Sequence, residues 1–255
     1  MSAKFYREVS QEARCEPLES RQLLSVVLNG LGTLKVVGTP KADVIDVTVN
    51  ADESVEVDLN GVMSGPFSNV KRIHVFGRAG ADQITVDESA ATKLISDAIF
   101  GGAGNDTITA GDEDSYISGG AGKDVVTAGN GNNVVQGGAE ADNITVGNGS
   151  DIVLARGAHN TVIAGTGNDT IVVGNHSSVT GGGGDDLIWG LEGHDTLVGN
   201  VGGLTGTDDI YTSNGPHDNV QPGPNDMVDP DGRKRPPSYR TYLTYLESLT
   251  QVPPM

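Results

Sequence analysis

Apolar residues recur along the middle of the chain at an interval of nine. Ile108, Ile117, Val126, Val135, Ile144, Val153, Val162 and Ile171 fall on one register. One residue is dropped before Val179, and the series resumes at Ile188, Leu197 and, after a short insert, Ile210. Their neighbours are mostly Thr, Ser, Gln or Val, and the intervals between are rich in Gly, Asp and Asn. The pattern predicts nonapeptides, each a six-residue turn followed by a three-residue strand with one inward side chain. In 101–109 the turn is GGAGND and the strand is TIT. Two nonapeptides make a coil of 18 residues, and successive coils stack as parallel strands about 4.8 Å apart. The expected fold is all-β: a right-handed parallel β-roll or β-helix solenoid.

The flanks differ. Residues 31–76 alternate apolar and polar positions in LGTLKVVGT, DVIDVTV, SVEVDLNG and NVKRIHVFG, which predicts a strand segment that starts or caps the solenoid. GRAGADQIT at 77–85 and GTPKADVID at 38–46 are earlier copies of the nonapeptide, and the roll itself is expected over 77–212. Residues 1–30 read as a separate segment with one short helix from Glu16 to Val27, Pro17 standing in its first turn. Residues 213–255 read as a Pro/Gly-rich tail with a second short helix at 238–249, Tyr239, Tyr242, Leu243 and Leu246 on one face.

Composition narrows the chemistry. The chain has 255 residues, 37 of them Gly, only 4% aromatic residues, and a formal net charge of −18. That charge disfavours nucleic acid and anionic membranes and favours cations. No run of 18 apolar residues is present, so no helix spans a membrane. A single cysteine, Cys15, rules out an internal disulfide framework. Residues 101–212 hold 12 Asp and 3 Glu against Lys123 and Arg156 alone. Stacked turns bring such carboxylates to about 5 Å, where a pair repels by about 3 kcal/mol at an effective dielectric of 20. A counter-cation between turns removes that repulsion. Carboxylates and turn carbonyls are hard oxygen donors at a flexible site, which selects Ca2+ over Mg2+.

GGAGNDTIT, GGAGKDVVT, AGTGNDTIV and GGGGDDLIW resemble the hemolysin-type (RTX) calcium-binding nonapeptide, GGxGxDxUx. The resemblance covers roughly 77–211. It implies Ca2+ held between stacked turns, bridged by the aspartates and helped by carbonyls of the second and fourth turn positions. Carried onto this chain, the aspartates are Asp106, Asp124, Asp142, Asp151, Asp169, Asp186 and Asp208, and the glycines are Gly102, Gly104, Gly120, Gly122, Gly149, Gly167, Gly182 and Gly184. CEPLESRQLLS at 15–25 resembles the LEPR-XLL motif near the N-terminus of large bacterial exported proteins, with Ser20 in place of its Pro; an ordinary amphipathic helix is the alternative.

Alternate turns must lie on opposite edges of the coil. One edge groups Asp106, Asp124 and Asp142; the other groups Asp151, Asp169, Asp186 and Asp208. Asn133 and Asn160 offer an amide oxygen without charge. On the first edge, where aspartates thin out, His159, His176 and His194 follow one another at coil spacing. They form a candidate row for Zn2+, Ni2+ or Cu2+, the alternative being exposed turn residues. The functional expectation is a non-enzymatic calcium-binding module of an exported bacterial protein, extracellular or at the cell surface. It folds on Ca2+ and serves a structural, adhesive or secretion-related role, with cell-surface or extracellular glycans and proteins as candidate partners. The alternatives are a β-helix enzyme acting on polysaccharide and a glycan- or surface-recognition solenoid. The repeats supply neither an HExxH zinc motif nor a GxSxG turn.

Overall fold

The computed structural model describes residues 25–91, 95–191, 193–201, 204–212 and 217–229. Among them every regular element is a strand, and no helix is long and apolar enough to cross a membrane. The strands form two eleven-stranded sheets.

One sheet runs Ser25–Leu28, Thr33–Val37, Arg72–Ala79, Ser96–Ala103, Ser115–Ala121, Val134–Ala139, Ile152–Ala155, Thr170–Val173, Leu187–Gly190, Asp209–Thr212, Met227–Asp229. The other runs Val62–Phe67, Val55–Leu59, Val44–Val49, Gln83–Asp87, Thr107–Thr109, Val125–Thr127, Asn143–Thr145, Thr161–Ile163, Ser178–Gly182, Thr196–Asn200, Asn219–Gln221. From Arg72 onward the chain visits the sheets in turn, and from Thr33 onward the strands stacked along the coil pair in parallel.

The nine-residue apolar series splits between the sheets as its spacing requires. Ile99, Ile117, Val135, Val153, Ile171, Ile188 and Ile210 pair in register on one side. Ile84, Ile108, Val126, Ile144, Val162, Val179 and Leu197 do so on the other. All are buried. The core is thus two facing files of branched side chains, each worth about 1.5–3 kcal/mol when fully buried. A narrow core of this kind leaves the turns to be stabilised by other means.

Three features depart from the sequence expectation. The helix read through Val27 does not extend to its last residues. Ser25–Leu28 is a strand, paired antiparallel with Thr33–Val37. Asn29 turns the chain, its Oδ1 accepting from the Leu31 and Thr33 amides, and the β-branched Val26 and Val27 suit the pleat. The rest of that segment, including the 15–24 motif residues, lies outside the described residues, as does 238–249. Second, 31–76 does start the coil, at Thr33, but an unforeseen antiparallel pair, Val55–Leu59 and Val62–Phe67, extends one end of the second sheet. Third, the linker expected from 213 gives way at 217–229 to a further coil. Asp218-Asn219-Val220 and Asp226-Met227-Val228 repeat the Asp-x-apolar triplet of Asp106-Thr107-Ile108, which the surrounding Pro and Gly conceal.

Candidate metal centre

The full-motif turns are shaped by glycine at their second and fourth positions. Gly102 and Gly104 have φ of 120° and 130°, and Gly120 and Gly122 repeat them at 116° and 122°. Carbonyls, not only dihedrals, exclude a side chain here. A Cβ on Gly120 would overlap the Gly102 oxygen of the preceding coil, and one on Gly122 the Gly104 oxygen. The second- and fourth-position carbonyls therefore aim along the stack at the next turn. Gly149, Gly167, Gly182 and Gly184 share the positive φ.

The sixth position forms two continuous rows, one per edge. In the first, the Asp82 amide donates to Asp106 Oδ1 at 2.8 Å, Asp106 to Asp124 at 2.9 Å and Asp124 to Asp142 at 3.0 Å. Asp142 then donates to Asn160 Oδ1 at 2.9 Å. The row goes on through Ser177, Asp195 and Asp218. In the second, the Ser115 amide donates to Asn133 Oδ1, and Asn133, Asp151, Asp169, Asp186 and Asp208 each donate to the next residue, ending at Asp226. The two groups sorted from sequence are thus neighbours along their edges. Asp82, Asp195, Asp218 and Asp226 join them. Asp82 was legible in the copy at 77–85; Asp218 and Asp226 show only through the Asp-x-apolar triplet.

The second atom of each side chain separates aspartate from asparagine. Asn133 Nδ2 donates to the carbonyls of Gly129 and Gly131, at 3.1 and 2.7 Å, the second and fourth positions of its own turn. Asn160 Nδ2 donates to Ala155 and Gly157 at 2.7 and 2.5 Å. In the aspartate turns Oδ1 is engaged as in the asparagine turns, but the remaining atom is an oxygen. Oδ2 of Asp82, Asp106, Asp124, Asp142, Asp151, Asp169, Asp186 and Asp218 is buried and has no hydrogen-bond donor. Asp208 and Asp226 differ: Asp208 Oδ2 accepts from Asn200 Nδ2 at 2.9 Å, and Asp226 Oδ2 accepts from the Gly223 amide.

Burial of unpartnered carboxylates disfavours their charge. Burial, with neighbouring carboxylates adding to it, raises Asp124 and Asp169 to about 7, and Asp82, Asp186 and Asp208 to about 6. Asp106, Asp142 and Asp151 are raised for the same first reason. An orphaned anionic oxygen near inward-facing carbonyls needs a cation or a proton. The donor set is all oxygen, from carboxylate and carbonyl, and it recurs at every coil. That fits Ca2+, which takes 6–8 oxygen ligands in irregular geometry.

The three histidines expected on one edge stack there, and His217 extends them to four. Ring centroids lie 4.9 Å apart for His159 and His176, 4.7 Å for His176 and His194, and 4.9 Å for His194 and His217. All four are exposed, each directly before a member of the first row. No three His, Cys, Asp or Glu side chains among the described residues converge on a single metal point.

The model of the RTX calcium-binding nonapeptide repeat, built of four copies, matches at 100–135, 118–153, 127–162, 136–171, 155–177 and 178–203. No curated protein and no solved structure shows a significant match to the chain. RTX repeats are in general structural and calcium-binding rather than catalytic, and proteins that carry them are typically secreted. Across residues 100–203 this chain is an array of RTX calcium-binding nonapeptide repeats, and such repeats bind calcium ions.

Proposed function

We propose that the chain is a calcium-dependent structural module of an exported bacterial protein. It folds where Ca2+ is plentiful and presents a rigid solenoid outside the cell, in an adhesive or secretion-related role and without catalysis. Extracellular or cell-surface glycans and proteins are its proposed partners. The proposed ligands are Asp106, Asp124, Asp142, Asp151, Asp169 and Asp186, with carbonyls at the turn glycines; Asp208 is a weaker member because Asn200 already serves it.

One observation carries the reading: the eight buried Oδ2 atoms that lack a donor, set against Asn133 and Asn160, whose amides supply one. Ion binding then becomes folding energy. Far-UV circular dichroism of the full chain tests it. Chelator removes most of the strand signal, and added Ca2+ restores it. A spectrum unchanged in excess chelator overturns the proposal.

A further inference from the structure

Outside the matched repeats, two acidic side chains bracket one reversal of the coil. Glu88 follows the strand Gln83–Asp87, and Asp97 is the second residue of Ser96–Ala103. Both are more than nine-tenths buried, Glu88 with 6% of its surface exposed and Asp97 with 4%. All four of their carboxylate oxygens lack a hydrogen-bond partner. The repeats leave one oxygen per aspartate unserved; this reversal leaves both oxygens of both groups.

Relief is small: the Ser115 side chain favours the Asp97 charge, but burial outweighs it. Among the described residues, the charges bearing on Glu88 are those of Asp97, Glu113 and Asp87, all negative. Ser115, in register with Asp97, turns its hydroxyl to the Glu113 carbonyl at 3.2 Å. Glu88 lies against the next coil at Gly111, where a Cβ would come within 3.0 Å of Oε2. Two carboxylates buried together without a donor are costly unless they share an ion or a proton. Asp97 also occupies the row position above Ser115 and Asn133, neither of which carries a carboxylate.

We propose that Glu88 and Asp97 hold a calcium ion of their own, at a site the nonapeptide motif does not encode. Four carboxylate oxygens from two residues are hard donors and favour Ca2+ among the common divalent ions. The site would open the second row with a charged link where its first two turns have none. The choice of cation rests on the calcium reading of the repeats.

The test is calcium stoichiometry of the full chain by equilibrium dialysis. Glu88→Gln with Asp97→Asn is nearly isosteric and removes buried charge. It lowers the bound calcium by one ion per chain, while Asp124→Ala and Asp169→Ala lower it elsewhere and leave that ion. If the double variant binds as many ions as the parent, because the pair shares a proton instead, the proposal is overturned. Loss of every ion with the repeat aspartates also overturns it and leaves the repeat reading standing. Ions lost only with Glu88 and Asp97 support it and sink the repeat reading. The parent gives a check without mutation. The side-chain carboxyl carbon resonances of Glu88 and Asp97 move on calcium addition; resonances unmoved at saturation are the contrary result.

Discussion

The turns at 128–133 and 164–169 lie on the same edge of the coil, two coils apart, and are closed by opposite chemistry. In the first, Asn133 Oδ1 continues the row and Nδ2 draws in two carbonyls of its own turn. In the second, Asp169 Oδ1 continues the row at 2.8 Å, and Oδ2 is buried with nothing donating to it. Burial and row contact are shared. Replacing NH2 by O changes a turn that supplies its own positive end into one that must import it. The residues of an RTX array therefore divide into turns that need an ion and turns that carry a substitute, and one atom decides which.

Acid should move that comparison most. The folded, calcium-free turns have carboxyls raised to about 6 or 7 at Asp82, Asp124, Asp169, Asp186 and Asp208, against 3.8 for an unperturbed Asp. The folded state then binds more protons than the unfolded one between about pH 4 and 7, so stability rises as pH falls. The contribution is fully present below 3.8 and is lost as pH rises through 6 to 7. Calcium-stripped protein should regain strand signal on titration from pH 7.5 to 4.5. A signal that instead falls throughout that range breaks the account.

Next in size are the bridging aspartates. Asp124 and Asp169 have a carboxylate neighbour on either side in their rows. Asp195 has Ser177 on one side and Asp218 on the other. Asp124→Ala and Asp169→Ala should each lose more bound calcium than Asp195→Ala. Calorimetric stoichiometries that match for all three would contradict the row assignment.

A smaller effect should come from the reverse exchange. Asn133→Asp replaces the donor to Gly129 and Gly131 with an orphaned oxygen. It should destabilise the calcium-free protein by about 1–3 kcal/mol, the cost of an unsatisfied buried group, and add calcium-binding capacity. Asp151→Asn should do the opposite. The calcium concentration at half-maximal strand signal measures both; an Asn133→Asp protein that folds at the parent's calcium concentration would remove the distinction. The smallest effect concerns the histidines beside the neutral turns at Asn160 and Ser177. Zn2+ added to calcium-loaded protein should shift the imidazole resonances of His159, His176, His194 and His217 together and release no calcium. A response confined to His74 would mark the row as surface only.

Much of this was legible in the chain. The nine-residue period gave the coil, its parity gave the two sheets, and the same parity sorted Asp106, Asp124 and Asp142 from Asp151, Asp169 and Asp186. What was hidden has physical causes. The coil at 217–229 keeps only the Asp-x-apolar triplet, since a turn without glycine at its second and fourth positions can still close a row. Glu88 lies in a longer reversal with no period to find it by. The donor role of the Asn133 and Asn160 amides depends on which way a planar group faces, and composition does not encode direction. Val26 and Val27 continue an apolar run that fits helix or strand equally, and Asn29 settles it by turning the chain back.

The neutral links have one further consequence. In the first row they fall at Asn160 and Ser177; in the second they fall at Ser115 and Asn133. Where one row is neutral, the other carries Asp106, Asp124 and Asp142, or Asp151, Asp169 and Asp186. The two rows are laid like courses of brickwork, with no joint above another. With ions at the proposed aspartates, a crack opening along the stack would meet one on at least one edge throughout 101–195, so peeling the solenoid would mean breaking metal contacts at each course rather than following a seam of hydrogen bonds alone.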